Sequence, residues 1–318
     1  MKAVFLDADS LNLHRNDLTA LDNAVDELVL HGNTQRDTVD ERIADAEIVI
    51  VNKVVLDRES LMAAPALRLV CVAATGLNNV DLDAASEQGI AVTHCRGYGT
   101  DSVAQHTLAL ILTLATNLTA YREDVTAGRW AESEFFCLLD HPIMELAGKQ
   151  LGIIGLGTLG GRVAELARAF GMAVEVAQRP GSAGNDADRM PLDTLLRTSD
   201  VVTLHCPLTE DTRGLIGHDA LARMKRTAYL VNTARGGIVD ETALAQALRA
   251  GEIAGAAVDV LSEEPPVHGN PLLAGDIPNL ILTPHCAWGS REARLRIVDQ
   301  LAGSISGFRS GDPPRRVV

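Results

Sequence analysis

The chain has no surplus of positive charge. Its 318 residues carry 28 Lys and Arg against 42 Asp and Glu, a formal net charge of -14. A field of that sign repels polyanions, so nucleic acid and anionic membranes are excluded as expected partners. A small anion must then be held locally, by helix N-termini, backbone amides or single arginines. Cysteine pairing is lacking too. The five cysteines, at positions 71, 95, 137, 206 and 286, are odd in number, scattered and never spaced C-x-x-C. That argues against a disulfide framework and suits a reducing, cytoplasmic setting. Cys206 and Cys286 lie near segments of interest below, but a buried small hydrophobe is the expected role of each. No metal site and no targeting segment are expected; Met1-Lys2 leads straight into an apolar strand with acidic residues after it. Long apolar runs are absent. The most apolar stretch, Val103 to Ala120, is interrupted by Gln105, His106, Thr113 and Asn117 and reads as a buried helix, not a membrane span.

What is present is a recurrence of short Val- and Ile-rich runs separated by helix-compatible stretches, the pattern of parallel sheets with crossover helices. One set comprises Ala3-Leu6, Ile48-Val51, Leu69-Val72 and Ile90-Val92. A second runs through Leu151-Ile154, Val174-Val176, Val201-Leu204, Tyr229-Val231, Ala256-Val258 and Leu280-Leu282. Two α/β units in series explain both sets better than one very wide sheet. Between them a helix is expected from Asp101 to about Tyr121, then an irregular stretch through Trp130, Phe135, Phe136 and His141-Pro142. That stretch is more apolar than a solvated loop tolerates, which points to packing against another subunit or over its own domain. A charged helix is expected from Arg291 to about Phe308, and it could return to the first unit.

Gly155-Leu156-Gly157-Thr158-Leu159-Gly160 directly follows one predicted strand and opens a helix that leads to the next. That context turns a weak G-x-G-x-x-G match into a dinucleotide loop. Gly155 permits the tight turn, Gly157 lets a pyrophosphate approach, and Gly160 lets helix and strand pack closely. The strand that follows ends in Ala177-Gln178-Arg179, where an acid would accept ribose hydroxyl bonds. Without it nothing repels a 2'-phosphate, and Arg179 could bind one. The reading leans toward NADPH or dual use; an ordinary exposed arginine in a turn is the alternative.

Three later segments place polar residues just past predicted strands: Asn232-Thr233-Ala234-Arg235-Gly236-Gly237, Asp259-Val260-Leu261-Ser262-Glu263-Glu264-Pro265-Pro266 and Thr283-Pro284-His285-Cys286-Ala287-Trp288. Strand ends are where α/β sheets bind ligands. Singly, Arg235 could be a surface cation, Glu264 a turn acid and His285 a core histidine. Behind a cofactor loop, an arginine, a carboxylate and an imidazole favour catalysis.

With G-L-G-T-L-G, N-T-A-R-G-G-I-V-D, D-V-L-S-E-E-P and T-P-H in this order, the chain resembles the D-isomer-specific 2-hydroxyacid dehydrogenases. Asn52-Lys53-Val54-Val55-Leu56-Asp57, Arg96-Gly97-Tyr98-Gly99-Thr100 and Cys137-Leu138-Leu139-Asp140-His141-Pro142 look like the bacterial glycerate dehydrogenase (hydroxypyruvate reductase) branch. The resemblance implies an α/β fold of two doubly wound, Rossmann-like domains. A substrate domain of residues 1–98 and 289–318 would surround an inserted NAD(P)-binding domain of residues 99–288, with homodimers formed through about 101–148. It implies reduction of a small 2-keto acid, hydroxypyruvate or glyoxylate, to the D-2-hydroxy acid. Arg235 would bind and polarise the keto acid, His285 donate the proton and Glu264 orient His285. Each role has a chemical reason: charge left on the carbonyl oxygen is stabilised by a guanidinium and neutralised by an imidazolium, which a carboxylate favours and orients. The N-H groups of Thr75 and Gly76, in Ala74-Thr75-Gly76-Leu77-Asn78-Asn79-Val80-Asp81, would hold the substrate carboxylate, with Lys53 a further candidate. Cofactor contacts are implied for Thr158, Leu159, Gln178, Arg179, His205, Pro207, Thr212, Thr233, Ala234 and Asp259, besides the three glycines. Two departures are Gln178 in place of the usual acid and Gln105 where many relatives carry glutamate. A cofactor-sensing corepressor of the same fold and a D-lactate-type dehydrogenase are the competing readings; a phosphoglycerate dehydrogenase with an added regulatory domain is not expected at this length.

Overall fold

The structure, a computed structural model, describes residues 1–179 and 188–318. The first five strands are β1 (Lys2–Phe5), β2 (Glu27–Leu30), β3 (Ile48–Val51), β4 (Leu69–Val72) and β5 (Ala91–His94). They form a parallel sheet in the order β2-β1-β3-β4-β5. Six more follow: β6 (Gln150–Ile154), β7 (Ala173–Val176), β8 (Val201–Leu204), β9 (Tyr229–Asn232), β10 (Gly255–Val258) and β11 (Leu280–Leu282). Their parallel sheet has the order β11-β10-β9-β8-β6-β7. The chain falls into two compact units, Met1–Gly99 with Gly289–Val318, and Thr100–Trp288.

The central strands are apolar at almost every position because helices cover both faces of each sheet. In the second unit the alternation is direct. Leu230 of β9 packs with Leu195, Leu221, Leu244 and Leu248 on one face, while Tyr229 and Val231 join Ile111, Leu151 and Val163 on the other. In the first unit, Val4, Val49, Val70 and Val92 pack with Ile43, Leu61 and Ala84. The helix Arg291–Arg309 does return to this unit, where it packs on the helix Thr19–Ala24 and on β4. The C-terminal tail then exchanges backbone bonds with β5: Val317 N donates to Val92 O and Val92 N to Val318 O. This covers an otherwise open sheet edge.

Two expectations need correction. β2 was not foreseen: an edge strand open to solvent on one side, with its charged Glu27 exposed, lacks the all-apolar signature of its neighbours. The single helix expected from Asp101 to Tyr121 is two, Thr100–Thr116 and Leu118–Thr126, bent by 61°. They break at Asn117, whose φ of 48° is left-handed, a conformation asparagine tolerates better than most residues. Among the described residues no single helix is long and apolar enough to cross a membrane.

In each sheet the strand order reverses beside its first strand, between β1 and β3 and between β6 and β8. The carboxyl ends of the strands at such a reversal form a ligand crevice.

Candidate active site

At the end of β6 the three glycines each meet a separate geometric demand. Gly155 has φ +100°, and a Cβ there would lie 2.5 Å from Cys206 N. A Cβ on Gly160 would lie 2.1 Å from Gly155 O, whereas Gly157 faces open space. The helix Thr158–Ala169 starts here, and the N-H groups of Thr158, Leu159 and Gly160 meet no acceptor among the described residues. An open cradle under a helix N-terminus fits a pyrophosphate. His205, Cys206 and Pro207 follow β8 and back this loop. His205 Nε2 pairs with Thr203 Oγ1 at 3.0 Å, Nδ1 is buried without a partner among the described residues, and burial pushes the ring down to about 4, so it is neutral. Thr212 staples its own turn, with Oγ1 donating to Pro207 O at 2.7 Å and accepting from Thr209 N. Past β7, Gln178 is half-buried and Arg179 exposed; Gln178 N donates to Met190 O.

The β9 loop is bracketed by Asn232. Its Oδ1 accepts from Ala234 N at 3.0 Å and its Nδ2 donates to Arg235 O at 2.9 Å. Arg235 adds a bond from Nη1 to Ala234 O at 2.7 Å, and Thr233 Oγ1 pairs with Thr107 Oγ1. Gly236 passes against the β10 loop so closely that a Cβ would lie 1.9 Å from Leu261 O.

Asp259 is a buried carboxylate after β10, and it organises the loop after β11. Its Oδ1 accepts from Cys286 N and from the Thr283 hydroxyl, and Oδ2 accepts from Ala287 N. Its own carbonyl accepts from His285 N at 2.8 Å. His285 is thereby held at φ 51°, with Nδ1 2.6 Å from Glu264 Oε2. The other oxygen, Glu264 Oε1, accepts from Leu261 N at 2.8 Å, so the carboxylate cannot swing away freely. The geometry thus joins Glu264 to His285, and His285 to Asp259 through the backbone. His106 Nε2 completes the network against Thr283 Oγ1 at 3.1 Å, 3.6 Å from Asp259 Oδ1.

Cys206 is buried as expected, but Cys286 is exposed. The chain has left the sheet by then, and its sulfur lies 3.7 Å from the Asp259 carboxylate rather than in the core. Partial burial and then Asp259 push its thiol up from the ordinary value. Gln105 lies on the exposed face of its helix.

In the first unit, Thr75 and Gly76 follow β4, and neither N-H meets an acceptor among the described residues. Lys53 follows β3 and is exposed. Its loop is pinned by Asp7, a residue the sequence did not single out. Asp7 Oδ1 accepts from Asn52 N at 2.8 Å and Oδ2 from Lys53 N and Val54 N at 2.6 and 3.1 Å.

The profile of the "D-isomer specific 2-hydroxyacid dehydrogenase, NAD binding domain" matches residues 108–287. A glycerate dehydrogenase of Methylorubrum extorquens is 43% identical over 316 residues, 98% of this chain and 97% of that protein. A hydroxypyruvate reductase of Blautia hydrogenotrophica is 37% identical, covering 98% of each chain. The solved structure of an NADPH-dependent glyoxylate/hydroxypyruvate reductase of Sinorhizobium meliloti aligns with a TM-score of 0.82 at 26% identity, over 100% of this chain and 97% of that one. The chain belongs to the D-isomer-specific 2-hydroxyacid dehydrogenases, the NAD(P)-dependent oxidoreductases whose sequence order it carries.

Proposed function

We propose that the chain reduces a small 2-keto acid, hydroxypyruvate or glyoxylate, to D-glycerate or glycolate. The observation that carries this reading is the 2.6 Å pair of His285 Nδ1 and Glu264 Oε2. A carboxylate accepts, so Nδ1 bears the shared proton, and Nε2, which meets no partner among the described residues, is the atom that hands a proton to the substrate oxygen. When bound, the nicotinamide supplies the hydride. Arg235 polarises the carbonyl and stabilises the charge developing on its oxygen. The N-H groups of Thr75 and Gly76 hold the substrate carboxylate, with Lys53 as an added cation. In this reading residues 1–98 and 289–318 are the substrate domain and 99–288 the cofactor domain.

The cofactor is NADPH, or either form. Gln178 and Arg179 stand where a carboxylate would repel a 2'-phosphate, and the Sinorhizobium neighbour is itself named NADPH-dependent. A homodimer formed through about residues 101–148 is supported by Trp130, Phe135, Leu139 and Ile143, all exposed, and by Phe136, exposed to 91%. Five unpaired cysteines suit a reducing cytoplasm. Hydroxypyruvate, glyoxylate and pyruvate, each assayed with NADH and NADPH, test the reading. Turnover of the first two, faster with NADPH, is expected; no turnover with any keto acid would move the chain to a cofactor-sensing binding protein.

A further inference from the structure

The loop after β4 is supported from below by a residue without an assigned role. His94, the last residue of β5, is buried to 6% exposure. Its Nε2 lies 2.5 Å from Arg96 Nε, and its Nδ1 lies 2.9 Å from Thr75 O. The tautomer follows from the partners. A guanidinium keeps its protons, so Nε2 must accept; the ring proton then sits on Nδ1 and is donated to the Thr75 carbonyl. Burial, and the nearby Arg96 and Arg315 cations, hold this ring below the usual histidine range, consistent with one ring proton. The neighbouring Cys95 N-H adds bonds to Val72 O and Ala74 O, so the end of β5 grips the last residue of β4 and two carbonyls of the loop after it.

The peptide between Thr75 and Gly76 is trans, and in a trans peptide the C=O and the following N-H point in opposite directions. Fixing the Thr75 carbonyl onto His94 therefore fixes the Gly76 N-H away from it, on the side where that N-H lacks an acceptor among the described residues. A lone loop peptide could flip and offer its carbonyl there instead, which would repel a carboxylate.

We propose that His94 is a positioning residue for substrate binding: by holding the Thr75 carbonyl it keeps the Gly76 N-H turned toward the substrate carboxylate. The assignment rests on the reading of Thr75 and Gly76 as the carboxylate site. Arg96 is its second member, because its Nε-H occupies His94 Nε2 and so selects the tautomer that can donate to Thr75.

Three variants separate the possibilities, each followed by KM for hydroxypyruvate and kcat at saturating cofactor. His94→Leu removes the donor and should raise KM about tenfold or more while kcat changes by less than about threefold. His94→Asn keeps an N-H close to the Nδ1 position and should return KM to within about threefold of the parent. Equal KM increases in both variants would mean that His94 only fills space, and parental KM in both would overturn its role. Gly76→Pro deletes the N-H itself. If it raises KM while His94→Leu does not, the carboxylate site stands and the positioning role fails; if Gly76→Pro leaves KM unchanged, the carboxylate site fails and the role with it. Should His94→Leu not fold, 15N NMR of the parent decides. The His94 resonances, assigned by their loss in His94→Asn, should show the Nδ1-H tautomer, and an Nε2-H tautomer would overturn the proposal.

Discussion

Each unit ties down a loop at its strand ends with one buried aspartate, and the two clamps differ in what surrounds them. Asp7 spends its carboxylate on three successive backbone N-H groups, of Asn52, Lys53 and Val54. Asp259 spends its own on two N-H groups and the Thr283 hydroxyl, with His106 and the Cys286 thiol within 4 Å. A clamp made of backbone alone holds a shape. A clamp set among titratable groups, which holds the backbone of His285 and of the residue after it, would also set the field for a proton moving at His285. Under the proposed function the first unit binds the substrate and the second carries the chemistry, a division that experiment can break.

The largest effect is expected at His285. A general acid contributes on the order of 10²–10⁴ in rate, so His285→Asn should lower kcat by at least about 100-fold with cofactor affinity intact. Stopped-flow single turnovers would show the loss in the chemical step; a loss confined to KM would place His285 in binding and dissolve the contrast between the units. Next is Arg235→Lys. A lysine cannot present the planar fork that meets carbonyl and carboxylate oxygens together, so kcat/KM should fall more than about tenfold, roughly 1.4 kcal/mol or greater. Kinetics within about twofold of the parent would remove Arg235 from the mechanism.

Asp7→Asn probes the other clamp. The amide keeps one acceptor oxygen and replaces the other with an NH2 donor that faces backbone N-H donors, leaving at least one buried group unsatisfied. A loss on the order of 1–3 kcal/mol of stability is expected, with KM for the keto acid raised and the cofactor Kd unchanged. Denaturant unfolding and cofactor fluorescence read these separately. A raised cofactor Kd would show that the first clamp is not confined to the substrate side.

Much of this arrangement was readable in the chain because the central strands and the glycine loop obey local rules. Ile48-Val51 and Val201-Leu204 can be little but buried strands, and Gly155 and Gly160 leave no room for a side chain. Of the set Arg235, Glu264 and His285 suggested by their order behind that loop, the structure pairs Glu264 with His285. Asp7, His94 and Asp259's clamp on the β11 loop were not. Their importance lies in bonds to backbone groups 19 to 47 residues distant, and a hydrogen bond to a carbonyl or N-H leaves no mark on the partner's identity. Cys286 was misjudged for a related reason: hydrophobicity says what a thiol prefers, not whether its loop has left the core. The break at Asn117 did have a signal, an asparagine inside an apolar helix, which was read as an interruption but not as a left-handed turn.

A smaller effect is expected for Gln178→Asp. A carboxylate there would accept ribose hydroxyl bonds and repel a 2'-phosphate, so the NADPH-to-NADH efficiency ratio should shift toward NADH by roughly five- to tenfold, with kcat on the preferred cofactor little changed. A ratio that stays put or rises would misplace the ribose pocket.

The smallest effect tests the field around Asp259 through its neighbour. Alkylation needs the thiolate. Burial keeps Cys71 and Cys95 protonated, their thiols pushed up to about 12, and holds Cys206 in the same direction, so in a Cys137→Ser background the exposed Cys286 is the thiol that reacts. Its own thiol is raised first by partial burial and then by Asp259, so its alkylation should be slow at pH 8 and climb steadily above that. Asp259→Asn removes the anion but not the burial, and the rate at pH 8 should rise only about two- to fivefold. Loosening of the loop could also raise it, and the charge of the reagent separates the two causes. Loosening speeds neutral iodoacetamide and anionic iodoacetate alike, whereas removal of a carboxylate about 4 Å away speeds iodoacetate more. A larger gain for iodoacetate, measured by mass spectrometry of the labelled peptide, would show that Asp259 acts on this loop through its charge. Equal gains would reduce it to a backbone clamp like Asp7, and the contrast between the two units would rest on His285 alone.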